Sequence, residues 1–382
     1  MAKIMGIEKH NLQVDVFRNL IQNKELVSDL QKQLDGAEKR KENGFLDFSD
    51  VEILNWYLHK RKHLDEKKDR SARTIMEYGK ELSLFVKHLL QYGNEIDLDI
   101  AYIIEGSLFK SLEKRHLRRY QEWLERESPY VKKKGKYSPA TLDRKTTIIK
   151  SFFAYLHKVG YIQEPIHEGF YIAGVRKDDR PNRDLGADQV LYMMDSFKEQ
   201  QHPIMFAIIH ILTTTGIRNE EFCTLQVQSL KEDKILGGYT LEVIGKGNKA
   251  RSIPLKAKVV NSIHMFRYAR GLPSVEESKP TDPLFTTNRG NAYKPSYLSQ
   301  YVTKEIAALY MEQKGEEVRL TPHYFRHAFA IISRLNKVDV YNIMRSLGHE
   351  RLETTEIYLA KTFEKENHAI HKWKPELFGE YI

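Results

Sequence analysis

The stretch TPHYFRHAFAIISRLN at residues 321–336, followed by VYNIMRSLGHERLETTEIY at residues 340–358, decides the fold of the second half of the chain. Thr321 and Pro322 are typical of a helix start, because Thr can cap free N–H groups and Pro fits the first helical position. Apolar residues then recur with a helical period, and a second periodic segment ends at Gly348. We predict two consecutive amphipathic helices.

Side chains that can bind an anion lie at the edges of these two helices. His323 and Arg326 are three residues apart, so they are neighbours on one helix face. His349 directly follows the second helix, and Tyr358 comes nine residues later. Two histidines, an arginine and a tyrosine in this arrangement indicate phosphate chemistry with a tyrosine nucleophile.

The composition favours a polyanionic partner. The chain has 382 residues and a formal net charge of +9. This length exceeds the usual size of one domain, so we expect two, and a basic folded chain favours DNA or RNA. The single cysteine, Cys223, excludes internal disulfides and multi-cysteine zinc sites. No stretch of roughly 18 or more apolar residues occurs, and we expect a soluble, cytoplasmic protein associated with DNA.

The first half of the chain has a helical pattern throughout. Residues 1–70 are highly charged and form a helical extension, which either packs on its neighbour or is a separate module for DNA or a partner. Residues 71–162 form a compact helical domain with helix starts at Ser71 and Pro139. Three successive basic elements in this domain favour phosphate contacts.

The second half begins after a break in the pattern. Residues 163–185 are rich in Pro, Gly and charged residues, which is typical of a linker. Residues 186–382 contain further helices and two strands, LGGYTLEVIG and ARSIPL, around the turn sequence GKGNK. We interpret Lys231–Gly238 as a loop that precedes this hairpin.

Cleavage of a phosphodiester by a tyrosine needs several groups at once. The nonbridging oxygens need cations, and the planar fork of Arg binds them bidentately. The leaving alkoxide needs a proton donor, and a phenol with a pKa near ~10 must lose its proton. Arg218 in TTTGIRNEEFCTL and Arg326 can supply the cations, a lysine in GKGNKAR the acid, and the histidines the remaining groups.

Five motifs in this order resemble those of the tyrosine recombinases of the phage integrase family, and they are most similar to the Xer-type enzymes. They are TGIRNEE, GKGNKAR, HYFRH, LGH and Tyr358. The segment at 141–165 also resembles the end of the family's core-binding domain. The resemblance covers about residues 71–375. It implies a mainly α fold with a small antiparallel sheet, in which a helical, SAM-like core-binding domain precedes a mixed α/β catalytic domain.

The resemblance also implies roles for the site residues. Arg218 and Arg326 would bind the scissile phosphate, and Tyr358 would attack it to form a 3′-phosphotyrosine. Lys246 would protonate the leaving 5′ oxygen, with Lys249 as the competing candidate on the same turn. The resemblance implies no metal and no nucleotide cofactor, because the phosphotyrosine bond conserves the energy of the broken one.

The remaining polar residues would support this reaction. His323 would accept the tyrosine proton or bind the phosphate, and His349 would donate to a nonbridging oxygen. Glu221 would position Arg218, and we interpret His327 as structural.

The family's assembly implies further partners. These are double-stranded DNA with inverted-repeat core sites and a homo-tetramer on two duplexes, with the tail at 361–382 docked on a neighbouring protomer. The alternative for the tail is that it covers its own domain. The job would be DNA integration and excision or replicon dimer resolution. The alternative functions are a type IB topoisomerase-like or telomere-resolving enzyme, and a non-catalytic DNA-binding protein of the same fold.

Overall fold

The computed structural model describes residues 23–65, 69–171, 174, 183–245, 249–366 and 368–372. The chain divides into two compact units, residues 1–181 and residues 182–382. The described residues are mostly helical and include one small antiparallel sheet, which belongs to the second unit. The predicted fold class, mainly α with a small antiparallel sheet, is therefore confirmed.

The described residues of the first unit form six α-helices: α1 (Leu26–Arg40), α2 (Asp50–His59), α3 (Ala72–Gln91), α4 (Lys114–Arg126), α5 (Pro129–Lys134) and α6 (Pro139–Lys158). Three helices begin after a serine whose hydroxyl accepts a hydrogen bond from an N–H of the first turn. These serines are Ser49, Ser71 and Ser138. Such a cap satisfies one of the N–H groups that lack a partner inside the helix. The helix starts predicted at Ser71 and Pro139 are confirmed.

Helices α1 and α2, which lie in the predicted N-terminal extension, belong to the core of the first unit. Leu30 and Leu54 are buried in the same apolar cluster as Phe85 of α3 and Phe152 of α6. Polar contacts add to this packing, since the Trp56 indole N–H donates to the Tyr155 hydroxyl at 3.0 Å. The described part of the extension therefore packs on the helical domain.

The first part of the segment predicted as a linker, residues 163–171, packs on the first unit. A short 3₁₀ turn forms at Ile166–Gly169, and the side chains of Ile166 and Phe170 are buried in the first core. The backbone N–H of Tyr171 donates to the side-chain oxygen of Gln121 at 2.8 Å. Residues up to Tyr171 therefore belong to the first unit, because two apolar side chains outweigh the Pro and Gly content of the segment.

The described residues of the second unit form eight α-helices and three strands: α7 (Ala187–Glu199), α8 (Pro203–Thr215), α9 (Asn219–Cys223), β1 (Leu230–Glu232), β2 (Tyr239–Ile244), β3 (Ala250–Leu255), α10 (Ala257–Ala269), α11 (Pro295–Lys314), α12 (Pro322–Leu335), α13 (Val340–Leu347) and α14 (Leu352–Glu366). The strands pair antiparallel in the order β1-β2-β3. Strand β1 shortens the loop predicted at Lys231–Gly238, since Lys231 pairs with Thr240 and Glu232 pairs with Tyr239, and residues 233–238 connect β1 to β2. Three residues are too few for a recognisable alternation in the sequence.

Helix α8 is apolar on nearly every side and packs against α7, α10 and α12 at the centre of the second unit. It ends at Gly216, whose φ is +60°. A Cβ on Gly216 would lie 2.8 Å from a methyl carbon of Leu347 and 2.9 Å from the Phe329 ring, so this close approach requires glycine. Helix α13 likewise ends at a left-handed glycine, Gly348. These two helix ends face the candidate site.

Two further findings concern the ends and surface of the described chain. After α14, a 3₁₀ turn forms at Ala369–Lys372, and the predicted tail from residue 373 onward lies outside the described residues. No helix in the described ranges combines the length and the apolar character needed to cross a membrane.

Candidate active site

Arg326 is held inside the second unit by two helix ends. Its side chain lies on α12 and is 1% exposed. Nη1 donates to the carbonyl of Gly216 at 2.5 Å, and Nη2 donates to the carbonyl of Leu347 at 2.7 Å. Carbonyls at helix C-termini lack partners inside the helix and carry partial negative charge, so they stabilise a buried guanidinium. Burial, followed by the nearby Arg218, lowers the pKa of Arg326 to about 10, and the group stays protonated at neutral pH.

Arg218 precedes the short helix α9 and is fixed by Glu221 of the first turn. The Glu221 carboxylate accepts the backbone N–H of Arg218 at 2.7 Å and its Nη1 at 2.9 Å. Nη2 of Arg218 donates to the carbonyl of Gly348 at 3.4 Å. This arrangement matches the positioning role expected for Glu221, which is itself 4% exposed.

The structure adds Arg251, which we did not include among the candidate residues. Arg251 lies on β3, and its Nη1 and Nη2 donate to the two carboxylate oxygens of Glu221 at 2.9 and 2.8 Å. Burial by itself raises the pKa of Glu221, but hydrogen bonds from Arg251 and Arg218 outweigh it and lower the pKa to about 2. The signal available in the sequence was the final arginine of GKGNKAR.

Tyr358 on α14 is surrounded by three imidazoles. The ring of His327 stacks on the Tyr358 ring, with centroids 3.7 Å apart and an interplanar angle of 21°. The rings of His349 and His323 meet it edge-on, at centroid distances of 5.2 and 5.7 Å. A hydrogen bond with Tyr358 partly offsets the lowering of the Arg326 pKa, which puts the phenol beside this cation.

All three imidazoles are neutral at physiological pH. Burial, reinforced by the neighbouring arginines, lowers the pKa of His323 to about 4 and those of His327 and His349 to about 3. A neutral imidazole carries one N–H and one lone pair, so it can donate and accept at the same time. Nδ1 of His349 lies 2.9 Å from the hydroxyl of Thr355. If this hydroxyl donates, Nε2 of His349 carries the proton.

The hairpin that carries the predicted proton donor is described only in part. Lys246 lies outside the described residues. Lys249 is exposed, and its Nζ lies 2.7 Å from a carboxylate oxygen of Glu350. The backbone N–H of Gly245 donates to the carbonyl of Lys249 at 2.8 Å and closes the base of the hairpin. The choice between Lys246 and Lys249 stays open.

The geometry therefore brings five of the six predicted catalytic residues to one region of the second unit: Arg218, His323, Arg326, His349 and Tyr358. They come from a helix end before α9, from both ends of the α12–α13 pair and from α14. In the part of the chain that the structure describes, no group of three or more His, Cys, Asp or Glu side chains could hold a metal ion. The arrangement suits transfer of a phosphoryl group to the phenol.

Comparison with known proteins identifies the family. The model of the phage integrase family matches residues 183–365. The tyrosine recombinase XerC of Thermodesulfovibrio yellowstonii is 29% identical over 229 residues, which cover 59% of this chain and 72% of the relative. The XerC of Caldanaerobacter subterraneus is 26% identical over 334 residues, 84% of this chain and 86% of the relative. Residues 183–365 thus match the phage integrase family, and the chain is similar to Xer-type tyrosine recombinases over most of its length. It is an enzyme of site-specific DNA recombination, as predicted.

Solved structures share the fold of this recombinase. The XerH recombinase in a post-cleavage complex with a palindromic DNA substrate superimposes with a TM-score of 0.57 and 20% identity, covering 94% of both chains. A lambda integrase dimer on a core site gives a TM-score of 0.57 and 13% identity, covering 81% of this chain and 95% of the integrase. The two-domain tyrosine-recombinase architecture is therefore confirmed, and these similarities extend to the fold alone.

Proposed function

We propose that the recombinase cleaves and rejoins DNA strands through a 3′-phosphotyrosine formed on Tyr358. The observation that carries this proposal is the position of the Tyr358 ring among three neutral imidazoles and beside the buried Arg326. A nucleophile, cations and neutral proton carriers in one region are what a tyrosine transesterification requires.

In the proposed step, the Tyr358 oxygen forms a bond to phosphorus while the bond from phosphorus to the 5′ oxygen breaks. The phenol proton passes to His323, whose neutral ring offers a lone pair. A bound phosphate adds negative charge next to this ring and therefore raises its pKa toward the range useful for a base. The 5′ oxygen takes a proton from a hairpin lysine, Lys246 or Lys249. Rejoining reverses each transfer with a new 5′-hydroxyl.

Arg218 and Arg326 bind the nonbridging oxygens in this proposal. Arg326 has its Nε buried without a hydrogen-bond partner, although both Nη groups are occupied. A buried N–H without a partner is unfavourable, and an anionic ligand would satisfy it. His349 adds a further donor from Nε2. Because helix-end carbonyls hold Arg326 and Glu221 holds Arg218, these two cations need little reorganisation when charge develops on the oxygens.

The test is covalent trapping on nicked DNA. The full-length protein is incubated with a pool of nicked duplexes whose arms are randomised, and covalent protein–DNA adducts are isolated, sequenced and resynthesised as a defined substrate. On that substrate the wild-type protein should form an adduct that is stable in detergent, and Tyr358→Phe should form none. Tyr324→Phe is the matched control, since Tyr324 lies on the same helix as His323 and should leave adduct formation intact.

An adduct that persists in Tyr358→Phe would exclude Tyr358 as the nucleophile. Absence of any adduct with wild-type protein across the selected pool would favour a non-catalytic DNA-binding protein of the same fold. Inverted repeats among the captured arms are the expected result, because two protomers related by symmetry would bind each core site.

We propose that four protomers act on two duplexes and that the tail at 361–382 docks on a neighbouring protomer. Truncation after Lys361 should then retain DNA binding and lose cooperative assembly and recombination, which gel-shift and strand-exchange assays measure. Unchanged recombination by the truncated protein would mean that the tail only covers its own domain. The captured sites would also indicate the biological role, integration and excision or replicon dimer resolution.

A further inference from the structure

Glu221 is fully occupied by two arginines. Its two carboxylate oxygens accept four hydrogen bonds, two from Arg218 and two from Arg251, at distances between 2.7 and 2.9 Å. A carboxylate has about four acceptor positions, so none remains for DNA or water. The bidentate contact of Arg251 is the strong, directional kind of ion pair, and it is largely shielded from solvent because the two side chains are 15% and 4% exposed.

Arg251 also lies against two glycines that begin site segments. A Cβ on Gly348, the residue before His349, would lie 3.2 Å from Nη1 of Arg251 and 3.3 Å from its Cδ. A Cβ on Gly245, the residue before Lys246, would lie 3.4 Å from the same Nη1 and 3.2 Å from Glu221. The guanidinium therefore fills the space between the hairpin base, Glu221 and the turn before His349.

The pairing of β2 with β3 connects Arg251 to the end of the hairpin that carries Lys246 and Lys249. Arg251 pairs with Val243 of β2, and the next pair toward the turn joins Ile244 and Ala250. The N–H of Gly245 then donates to the carbonyl of Lys249. Lys249 therefore lies at the base that Arg251 fixes, and Lys246 directly follows Gly245 in the sequence.

We propose that Arg251 is a positioning residue for proton donation to the leaving group. By clamping the base of the β2–β3 hairpin onto Glu221, it sets the distance between the hairpin lysine and the phosphate that Arg218 binds. Arg251 acts through Glu221 in this proposal and not through a contact with DNA: its two Nη groups hold both oxygens of that carboxylate, and its Nε is buried without a hydrogen-bond partner. The proposal rests on the proposed role of a hairpin lysine as the acid. A misplacement of about 1 Å in such a group can lower a rate roughly 100-fold.

The test compares two versions of the selected nicked duplex. One has the normal 5′ oxygen at the scissile phosphate, and the other has sulfur in that bridging position. A thiolate leaves without being protonated, so a defect in proton donation disappears on the sulfur DNA. Arg251→Gln should cleave the oxygen DNA about 100-fold more slowly than wild type and the sulfur DNA at nearly the wild-type rate. Arg251→Lys should also slow cleavage of the oxygen DNA more than that of the sulfur DNA, but by a smaller factor. One amine keeps the positive charge and cannot reproduce the bidentate contact.

The matched control is Lys231→Gln, which breaks an exposed ion pair with Glu242 between β1 and β2 of the same sheet. It should leave both cleavage rates unchanged. An equal loss on both DNAs in the Arg251 variants, or no loss on the oxygen DNA, would overturn the proposal. Thermal melting shows whether Arg251→Gln folds. If it does not, Arg251→Lys provides the same comparison between the two DNAs.

Lys246→Ala and Lys249→Ala separate this proposal from the proposed reaction. If one lysine variant recovers on the sulfur DNA and the Arg251 variants do not, only the Arg251 proposal is wrong. If neither lysine variant recovers, the assignment of the acid is wrong, and the Arg251 proposal falls with it. Recovery by one lysine variant and by the Arg251 variants would support both.

Discussion

Asp50 in the first unit and Glu221 in the second are equally buried carboxylates, each 4% exposed, and their pKa values are shifted in opposite directions. Asp50 accepts hydrogen bonds from neutral donors only, namely the hydroxyls of Ser107 and Tyr161 and the backbone N–H groups of Leu108 and Phe109. Burial raises its pKa, and these donors only partly oppose the shift. The two arginines on Glu221 lower its pKa to about 2.

The comparison shows that the charge of the hydrogen-bond partners, rather than burial, decides whether the pKa of a buried carboxylate is raised or lowered. Asp50 connects the start of α2 to the segment at 104–111 and to Tyr161, so it links three parts of the first unit, and its neutral partners add no positive charge there. The group of Arg218, Glu221 and Arg251 keeps one excess positive charge in the second unit. That excess, added to the charge of Arg326, suits a phosphate.

The largest expected effect is on the cleavage rate, and it distinguishes Arg326, a buried arginine in the site, from Arg267, a buried arginine outside it. Arg326→Lys should slow adduct formation by about 100-fold, because one amine cannot contact both helix-end carbonyls and a phosphate. Arg267 is the matched control, since it is 3% exposed and also donates to backbone carbonyls, at Pro273 and Leu284. Arg267→Lys should lower the melting temperature and spare the cleavage rate. Equal cleavage by both variants would contradict the role of Arg326.

The second prediction exchanges each buried carboxylate for its amide. Glu221→Gln should destabilise the second unit by about 3 kcal/mol. The new amide N–H finds no acceptor on either arginine, and Arg218 and Arg251 lose the negative charge that pairs with them. Asp50→Asn should change stability by about 1 kcal/mol or less, because the hydroxyls of Ser107 and Tyr161 can reverse and accept. Thermal melting and adduct formation measure both variants. A larger loss in Asp50→Asn than in Glu221→Gln would refute the distinction between the two sites.

The smallest expected effect is the change with pH in the stability that Glu221 and Asp50 contribute. The folded pKa of Glu221, about 2, lies below its ordinary value of 4.5, so its stabilisation is present above pH 4.5 and is lost as the pH falls toward 2. The folded pKa of Asp50 lies above 3.8, so protonation in the folded state adds stability as the pH falls through it. The melting advantage of wild type over Glu221→Gln should shrink with acid, while wild type should gain relative to Asp50→Asn. If the difference in melting temperature between wild type and variant changed with pH in the same direction for both sites, this assignment would be contradicted.

The sequence predicted the parts of the molecule that depend on local rules. The helix that begins at Pro322 follows from the apolar period and from Pro at its first position, although the Thr321 side chain makes no capping hydrogen bond. The end of α13 at Gly348 and the strands on either side of GKGNK follow from the glycine and from strand alternation. The order of five motifs predicted a Xer-like tyrosine recombinase and site-specific DNA recombination, and the comparisons support both. Strand β1 and the burial of Ile166 and Phe170 in the first core were not predicted, because three strand residues or two isolated apolar side chains make no recognisable pattern.

The assignments of Arg218, Lys246, His323, Arg326, His349, Glu221 and Tyr358 stay predictions, and the variants above test those of Lys246, Arg326, Glu221 and Tyr358. The domain boundaries also stay predictions, since residues 23–65 share a core with the helices that follow them. His327 illustrates the limit of motif reading. A histidine one turn after His323 was interpreted as structural, and its stacking on the Tyr358 ring could not be seen in the sequence.

By itself, the sequence determined which residue types the chain brings to a phosphate and in which elements they lie, because propensity and periodicity act over a few residues. Only the tertiary structure decided how those residues are held. The carbonyls that fix Arg326 come from two helix ends far apart in the chain, at Gly216 and Leu347. Arg251 reaches Glu221 across 30 residues. Such contacts depend on the packing of whole elements, and no local pattern encodes the direction of a buried side chain.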